Sequence, residues 1–169
     1  LDTLACRLAL ATDMHLLRET PARVVEFGQS CYRGYQRQLG PEHPLTGICL
    51  VNLALFLRGV GDLDESRRVG DHGLRIIRTA VPAETHPWVL AATINQAGNL
   101  GHGGAVDAAV RLAGQAVELC EEDLPPGHPY PDIARANLRV WEQATRRSAS
   151  TGPTPPLSTH DLDIDIPRR

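Results

Sequence analysis

The chain contains no lysine. All 17 of its basic residues are arginine, a pattern of GC-rich coding rather than a physical requirement. The absence still excludes something. A phosphate loop of the form G-x-x-x-x-G-K-[ST] needs a lysine on the β- and γ-phosphates, so the glycine cluster Gly98, Gly101, Gly103 and Gly104 reads as a turn between helices. Aromatic residues make up 4% of the chain, too few to build the core from large rings. No apolar run approaches the roughly 18 residues that a membrane-spanning helix needs, and no signal peptide is visible. A net charge of −3 gives no general surface for nucleic acid or membrane. Cys6, Cys31, Cys49 and Cys120 form no C-x-x-C pair and have no histidine at ligand spacing. They read as buried, reduced thiols of a cytoplasmic protein, with a disulfide pair as the alternative.

What is present is a repeat. His43-Pro44, His86-Pro87 and His128-Pro129 are each followed, nine residues after the histidine, by Asn52, Asn95 and Asn137. Successive copies lie 43 and 42 residues apart. Other positions keep step: Ala54 with Ala97, Gly61 with Gly104, Asp64 with Asp107. A period of this length is the mark of a stacked architecture, in which each unit buries its apolar face against the next.

One unit is legible in detail. After Pro44 the apolar residues Leu45, Ile48, Cys49, Val51, Leu53, Ala54, Leu55 and Leu57 recur at helical spacing. Proline suits the first helical position, whose N–H would have no partner in any case. Gly59 and Gly61 end the helix; Asp62 or Asp64 caps a second one that runs to about Ala80; Pro82 stops it. The next unit has helices at about Pro87–Gly98 and Val106–Glu122, with the turn at Gly101–Gly104. A third His-Pro opens a closing helix from Pro129 to about Arg146. Counting back from Asn52 reaches Ala9 in a helix starting near Thr3, followed by one from Pro21 to about Gln38. The expected fold is all-α, with about seven helices. Repeats cover about 1–39, 40–81 and 82–124, a capping helix covers 129–147, and a flexible tail rich in Pro, Ser, Thr and acidic residues covers 148–169. The tail's alternation in "DLDIDI" also suits a strand or linear motif docked on a partner or on this chain's own groove, with Leu162, Ile164 and Ile166 as its apolar residues.

The pattern "P-x-x-H-P … N-L-A … G … D-E-S", best kept in Leu39–Ser66, resembles the 42-residue tetratricopeptide repeat (TPR) of kinesin light chains and their bacterial relatives. Pro82–Glu122 keeps it less closely, with "NQAGNL" in place of "NLA", and Leu1–Leu39 lacks both His-Pro and Asn. The resemblance implies a right-handed superhelix, an α-solenoid, whose concave face is built from the first helix of each pair and binds peptides. It also implies that Asn52, Asn95 and Asn137 lie on that face. Bacterial repeats of this kind often form the C-terminal sensor of signalling ATPases of the NB-ARC/STAND type, and the tail "DLDIDIPRR" resembles the end of the tetratricopeptide protein of FxSxx-COOH systems. A first residue that is not Met fits a piece of such a longer protein.

The candidate residues follow from both lines. Equivalent atoms of successive repeats lie roughly 10 Å apart, the width of packed helices, while zinc needs its ligands about 2 Å from one centre. His43, His86 and His128 therefore cannot share a metal, and their expected role is to orient helix starts. Asparagine is an indifferent helix former, so its recurrence mid-helix needs a reason: a polar bridge between repeats, or an amide offered to a bound peptide. Ile48, Val51, Leu55, Ala91 and Ile133 complete the expected groove floor. No nucleophile–base pair or metal spacing supports catalysis, and no cofactor is expected. The reading is a cytoplasmic module that binds a protein or peptide, with a purely structural or oligomerising segment as the alternative.

Overall fold

The computed structural model describes residues 2–17, 20–81, 83–148, 158–162 and 164. Among them are seven helices and no strand: α1 (Asp2–Leu16), α2 (Pro21–Leu39), α3 (Pro44–Gly59), α4 (Leu63–Ala80), α5 (Pro87–His102), α6 (Val106–Asp123) and α7 (Pro129–Ser148). They form three antiparallel pairs and a closing helix.

The His-Pro dipeptide is a helix-start device. Proline at the first position removes one orphan N–H, and the histidine ring takes the next. His43 Nδ1 accepts from Leu45 N at 3.2 Å, His86 Nδ1 from Trp88 N at 3.2 Å and His128 Nδ1 from Tyr130 N at 3.3 Å. The orienting role expected for the three histidines is thus made by a ring nitrogen acting as an N-cap.

The turn inside each pair is equally regular. Gly61 and Gly104 have φ of 83° and 85°, conformations that glycine adopts without a Cβ penalty. Around them Gly61 N donates to Arg58 O and Asp62 N to Leu57 O, while Gly104 N donates to Gly101 O and Ala105 N to Leu100 O. This is a Schellman ending, placed twice at the same repeat position. Asp62 then caps α4 by accepting from Glu65 N. Its counterpart Ala105 makes no such bond.

One boundary differs from expectation. Helix α5 does not stop near Gly98 but continues to His102. Gly98 and Gly101 lie inside it because neighbours occupy the space a side chain would need. A Cβ on Gly98 would lie 2.9 Å from Arg58 Nη1, and one on Gly101 would lie 2.5 Å from the Trp141 indole. Close approach, not helix termination, is the reason for these glycines.

Stacking is strictly between neighbours. Backbones approach within 8 Å between α1 and α3, α3 and α5, and α5 and α7, whereas α2, α4 and α6 do not approach one another in this way. The first helix of each pair therefore lines the tighter, inner side of the stack. Small residues fill the space between helices: Ala97 of α5 and Ala109 and Ala113 of α6 pack with Trp141 and Ala144 of α7 in one buried cluster. In α1 Leu10 is half exposed although its repeat counterpart Leu53 is buried. Cys6 is exposed too, which corrects the expectation of four buried thiols; Cys31, Cys49 and Cys120 are buried, and none of the four is in a disulfide. No helix among the described residues is long and apolar enough to cross a membrane.

Candidate peptide-binding groove

The inner face holds a segment of the chain itself. Residues 158–162 and 164 lie along it without helix or strand, bound through their backbone by the three repeat asparagines. Asn137 Nδ2 donates to His160 O and Asn137 Oδ1 accepts from His160 N, both at 2.8 Å. Asn95 does the same with Leu162, at 2.6 and 2.9 Å. Asn52 does so with Ile164, at 3.1 and 3.3 Å. The three asparagines are at most 2% exposed, so the tail's backbone is what meets their amides from the groove side. The segment runs from α7 to α3, against the order of the repeats.

The register has a simple cause. In an extended chain the N–H and C=O of residues i, i+2 and i+4 point to the same edge. A carboxamide carries one acceptor and a donor pair and so mimics the matching residue of a neighbouring strand. Asparagine side chains from successive repeats thus replace a sheet edge, and they step by two along the peptide: 160, 162, 164. Side chains alternate between the two other directions. Leu162 and Ile164 are buried in the cluster that also holds Ile48, Val51, Val89 and Ala91. Thr159 and Asp161 turn the opposite way.

Their side meets a polar cluster. Asp161 forms an ion pair with Arg58, and Thr159 Oγ1 lies 3.2 Å from His102 Nε2. Arg58 is held from behind: its Nη1 donates to Asn99 Oδ1 at 2.7 Å, Asn99 Nδ2 donates to Gln96 Oε1 at 3.1 Å, and Gln96 Nε2 donates to Arg67 O at 3.1 Å. Every amide in this relay uses its oxygen to accept and its nitrogen to donate, so a buried polar chain ends on a guanidinium aimed at the tail. His102 and His15 lie within reach of both charges. Burial is the main cause that lowers the pKa of each. For His102 the nearby Arg58 lowers it further and Asp161 opposes; for His15 Asp161 opposes and Arg58 lowers.

The expected floor residues divide. Ile48 and Ala91 are buried in the cluster that contains the tail's apolar side chains, and Ile133 packs against it partly buried. Val51 shares that cluster but faces α4, its Cγ2 lying 2.9 Å from where a Cβ of Gly73 would be. Leu55 belongs to a different cluster, with Ala11, Val24 and Phe56, between the first unit and α3. Of the two readings of the tail, residues 158–162 and 164 follow the docked one that the alternation in "DLDIDI" left open. Residues 149–157 and Ile166 lie outside the described residues.

Arg58, Asn99, His102, Thr159 and Asp161 were not singled out from the sequence. A signal existed. Four residues after each ladder asparagine stand Phe56, Asn99 and Trp141, and a buried amide where the other repeats carry a ring marks a local task. Arg58 stands where the next repeat has Gly101. Among the described residues no group of three or more His, Cys, Asp or Glu could hold a metal ion.

Comparison with known proteins agrees with this architecture. Residues 46–87 match a family model described as tetratricopeptide repeat. No curated protein sequence matches the chain. Among solved structures, the fold is similar to that of a chain assigned as a kinesin light chain of Podosopora anserina with nearly identical TPR-like repeats. The TM-score is 0.78 at 22% identity, over 88% of this chain and 69% of that one. A singly substituted variant of that fungal protein gives 0.69 at 18% identity, over 89% and 77% of the two chains. Residues 46–87 thus match the tetratricopeptide repeat by sequence, and over 88% of the chain the fold is similar to that of a kinesin-light-chain-like TPR solenoid.

Proposed function

We propose that the chain is a protein-interaction module whose inner groove takes an extended peptide by its backbone. The observation that carries this reading is the exchange of paired hydrogen bonds between Asn52, Asn95 and Asn137 and alternate residues of the docked tail. Backbone recognition is indifferent to sequence, and the adjoining side-chain sites supply selectivity. The tail is the resident occupant. Burying Leu162 and Ile164 contributes about 1.5–3 kcal/mol each, and each neutral hydrogen bond about 0.5–1.5 kcal/mol. Ordering the backbone costs about 1–2 kcal/mol per residue. The opposing contributions are of similar size, so a tail held this way yields to a better peptide.

The wider role follows the resemblance. The module serves as the sensing part of a larger bacterial signalling protein in the cytoplasm, and it binds rather than catalyses. It needs no cofactor, nucleic acid or membrane. The test uses the full chain carrying Asp161→Asn, Leu162→Glu and Ile164→Glu, which empties the groove. A fluorescent peptide with the sequence of residues 158–164 is titrated into it. Saturable binding that is lost in a chain also carrying Asn52→Ala, Asn95→Ala and Asn137→Ala supports the groove. Saturable binding unaffected by the three alanines, or none at all, leaves the structural alternative.

A further inference from the structure

Resting on that reading, we infer that Arg58 is a specificity-determining residue that selects peptides with a carboxylate side chain directly before an apolar-x-apolar pair. The backbone ladder alone cannot fix which residue of a peptide sits where, because any extended chain can slide along it by two. Something must set the register. The ion pair between Arg58 and Asp161 does so together with Thr159 at His102, since Asp163 before Ile164 repeats the acid-apolar step two residues on but has Asp161 rather than a hydroxyl two residues before it. Arg58 is carried by α3, its side chain is 9% exposed, and its ion-pair partner is Asp161 of the tail. Its other anchor is neutral, the Asn99 carbonyl oxygen. With the groove filled the guanidinium is largely buried, so an occupant that brings no anion to this place leaves a buried charge unpaired.

The surroundings favour a carboxylate on an extended chain over other occupants. Gly98 keeps the approach open: its missing side chain leaves Arg58 Nη1 at 2.9 Å and Thr159 Oγ1 at 3.8 Å from where a Cβ would be. The relay through Asn99 and Gln96 to the Arg67 carbonyl fixes the guanidinium before any ligand arrives, so little ordering is left to be done on binding. In the docked tail the acidic residue is Asp161, the apolar pair is Leu162 and Ile164, and a hydroxyl two residues earlier, Thr159, meets His102. The ligand class is therefore an extended segment of the form hydroxyl-x-acid-apolar-x-apolar.

The experiment varies the peptide first, so that no further protein variant has to fold. The emptied chain described above is titrated with the 158–164 peptide and with the same peptide carrying Asp161→Asn. Charge-assisted pairing predicts that the acidic peptide binds about tenfold more tightly or better. In a chain that also carries Arg58→Gln the two peptides bind alike, at the level of the weaker one; Arg58→Lys restores part of the difference. Equal binding of both peptides to the chain with Arg58 intact overturns the inference and leaves the groove reading standing. Binding of neither peptide overturns both.

Discussion

Asn95 and Leu162 lie 67 residues apart in sequence and exchange two hydrogen bonds, N–H to Oδ1 at 2.9 Å and Nδ2–H to C=O at 2.6 Å. Replacing Asn95→Ala removes both. Alanine is the better helix former, so α5 holds, while the loss falls on tail docking. Two neutral bonds amount to about 1–3 kcal/mol, or roughly a 5- to 150-fold shift toward the undocked tail. Limited proteolysis should cleave around Leu162 faster by a comparable factor, with the thermal midpoint of the helices almost unmoved. Unchanged cleavage would separate the tail from the amides.

Gly70 faces the relay that orients Arg58. A Cβ there would lie 2.3 Å from Gln96 Oε1 and 2.6 Å from Asn99 Nδ2. Gly70→Ala should destabilise the chain by about 1–3 kcal/mol through overpacking and weaken the preference for acidic peptides. Gly114 in α6 is the control: nothing lies within 4 Å of its added Cβ. Gly114→Ala should stabilise by about 0.5–1 kcal/mol, as read by urea denaturation.

Mild acid should loosen the fold through two histidines. Burial is the main cause that holds the pKa of His15 and of His102 below the ordinary value, with Arg58 adding to it and Asp161 opposing. Near pH 6 the folded chain then binds fewer protons than the unfolded chain, so stability rises with pH. It is fully present above the ordinary histidine value of about 6.5 and falls as pH drops through that value toward the lowered folded ones. Urea midpoints measured between pH 7.5 and 5.5 should decline, and His15→Gln with His102→Gln should flatten the slope. A flat parent profile would contradict the burial of these rings.

The thiols should separate by exposure. Cys6 is exposed, while Cys31, Cys49 and Cys120 are buried. Burial pushes the pKa of all three up, that of Cys120 to about 11. Thiolate is the reactive form, so a thiol reagent at neutral pH should modify one site quickly and three more only on unfolding. Rapid modification of four would place the repeat stack in an open state.

The repeat was legible in the sequence because each unit reuses the same local chemistry. His-Pro marks a helix start, and Gly61 and Gly104 mark the turns at one repeat position. The residues that meet the tail were legible where they follow the period, at Asn52, Asn95 and Asn137. The rest was hidden where it departs from the period. Arg58 and Asn99 come from different repeats, and their pairing across 41 residues depends on the stacking of α3 on α5. Val51 and Leu55 were expected on the floor from their offsets from Asn52; residues 46–57 of α3 are all buried, so offsets alone do not say which neighbour each side chain meets. The tail's composition argued for freedom, with Pro, Ser and Thr ahead of six alternating residues. Only the folded stack supplies the ladder of amides that gives such a segment partners.

Hydrogen exchange of the tail amides tests the ladder most directly. His160, Leu162 and Ile164 donate their N–H groups to Asn137, Asn95 and Asn52. Measured in the intact chain, these three amides should be protected while that of Asp161 exchanges faster. In a chain carrying Asn52→Ala, Asn95→Ala and Asn137→Ala, all four should exchange at similar, fast rates while the helices stay protected. Uniformly fast exchange in the intact chain, or an alternating pattern that survives the three alanines, would contradict the account.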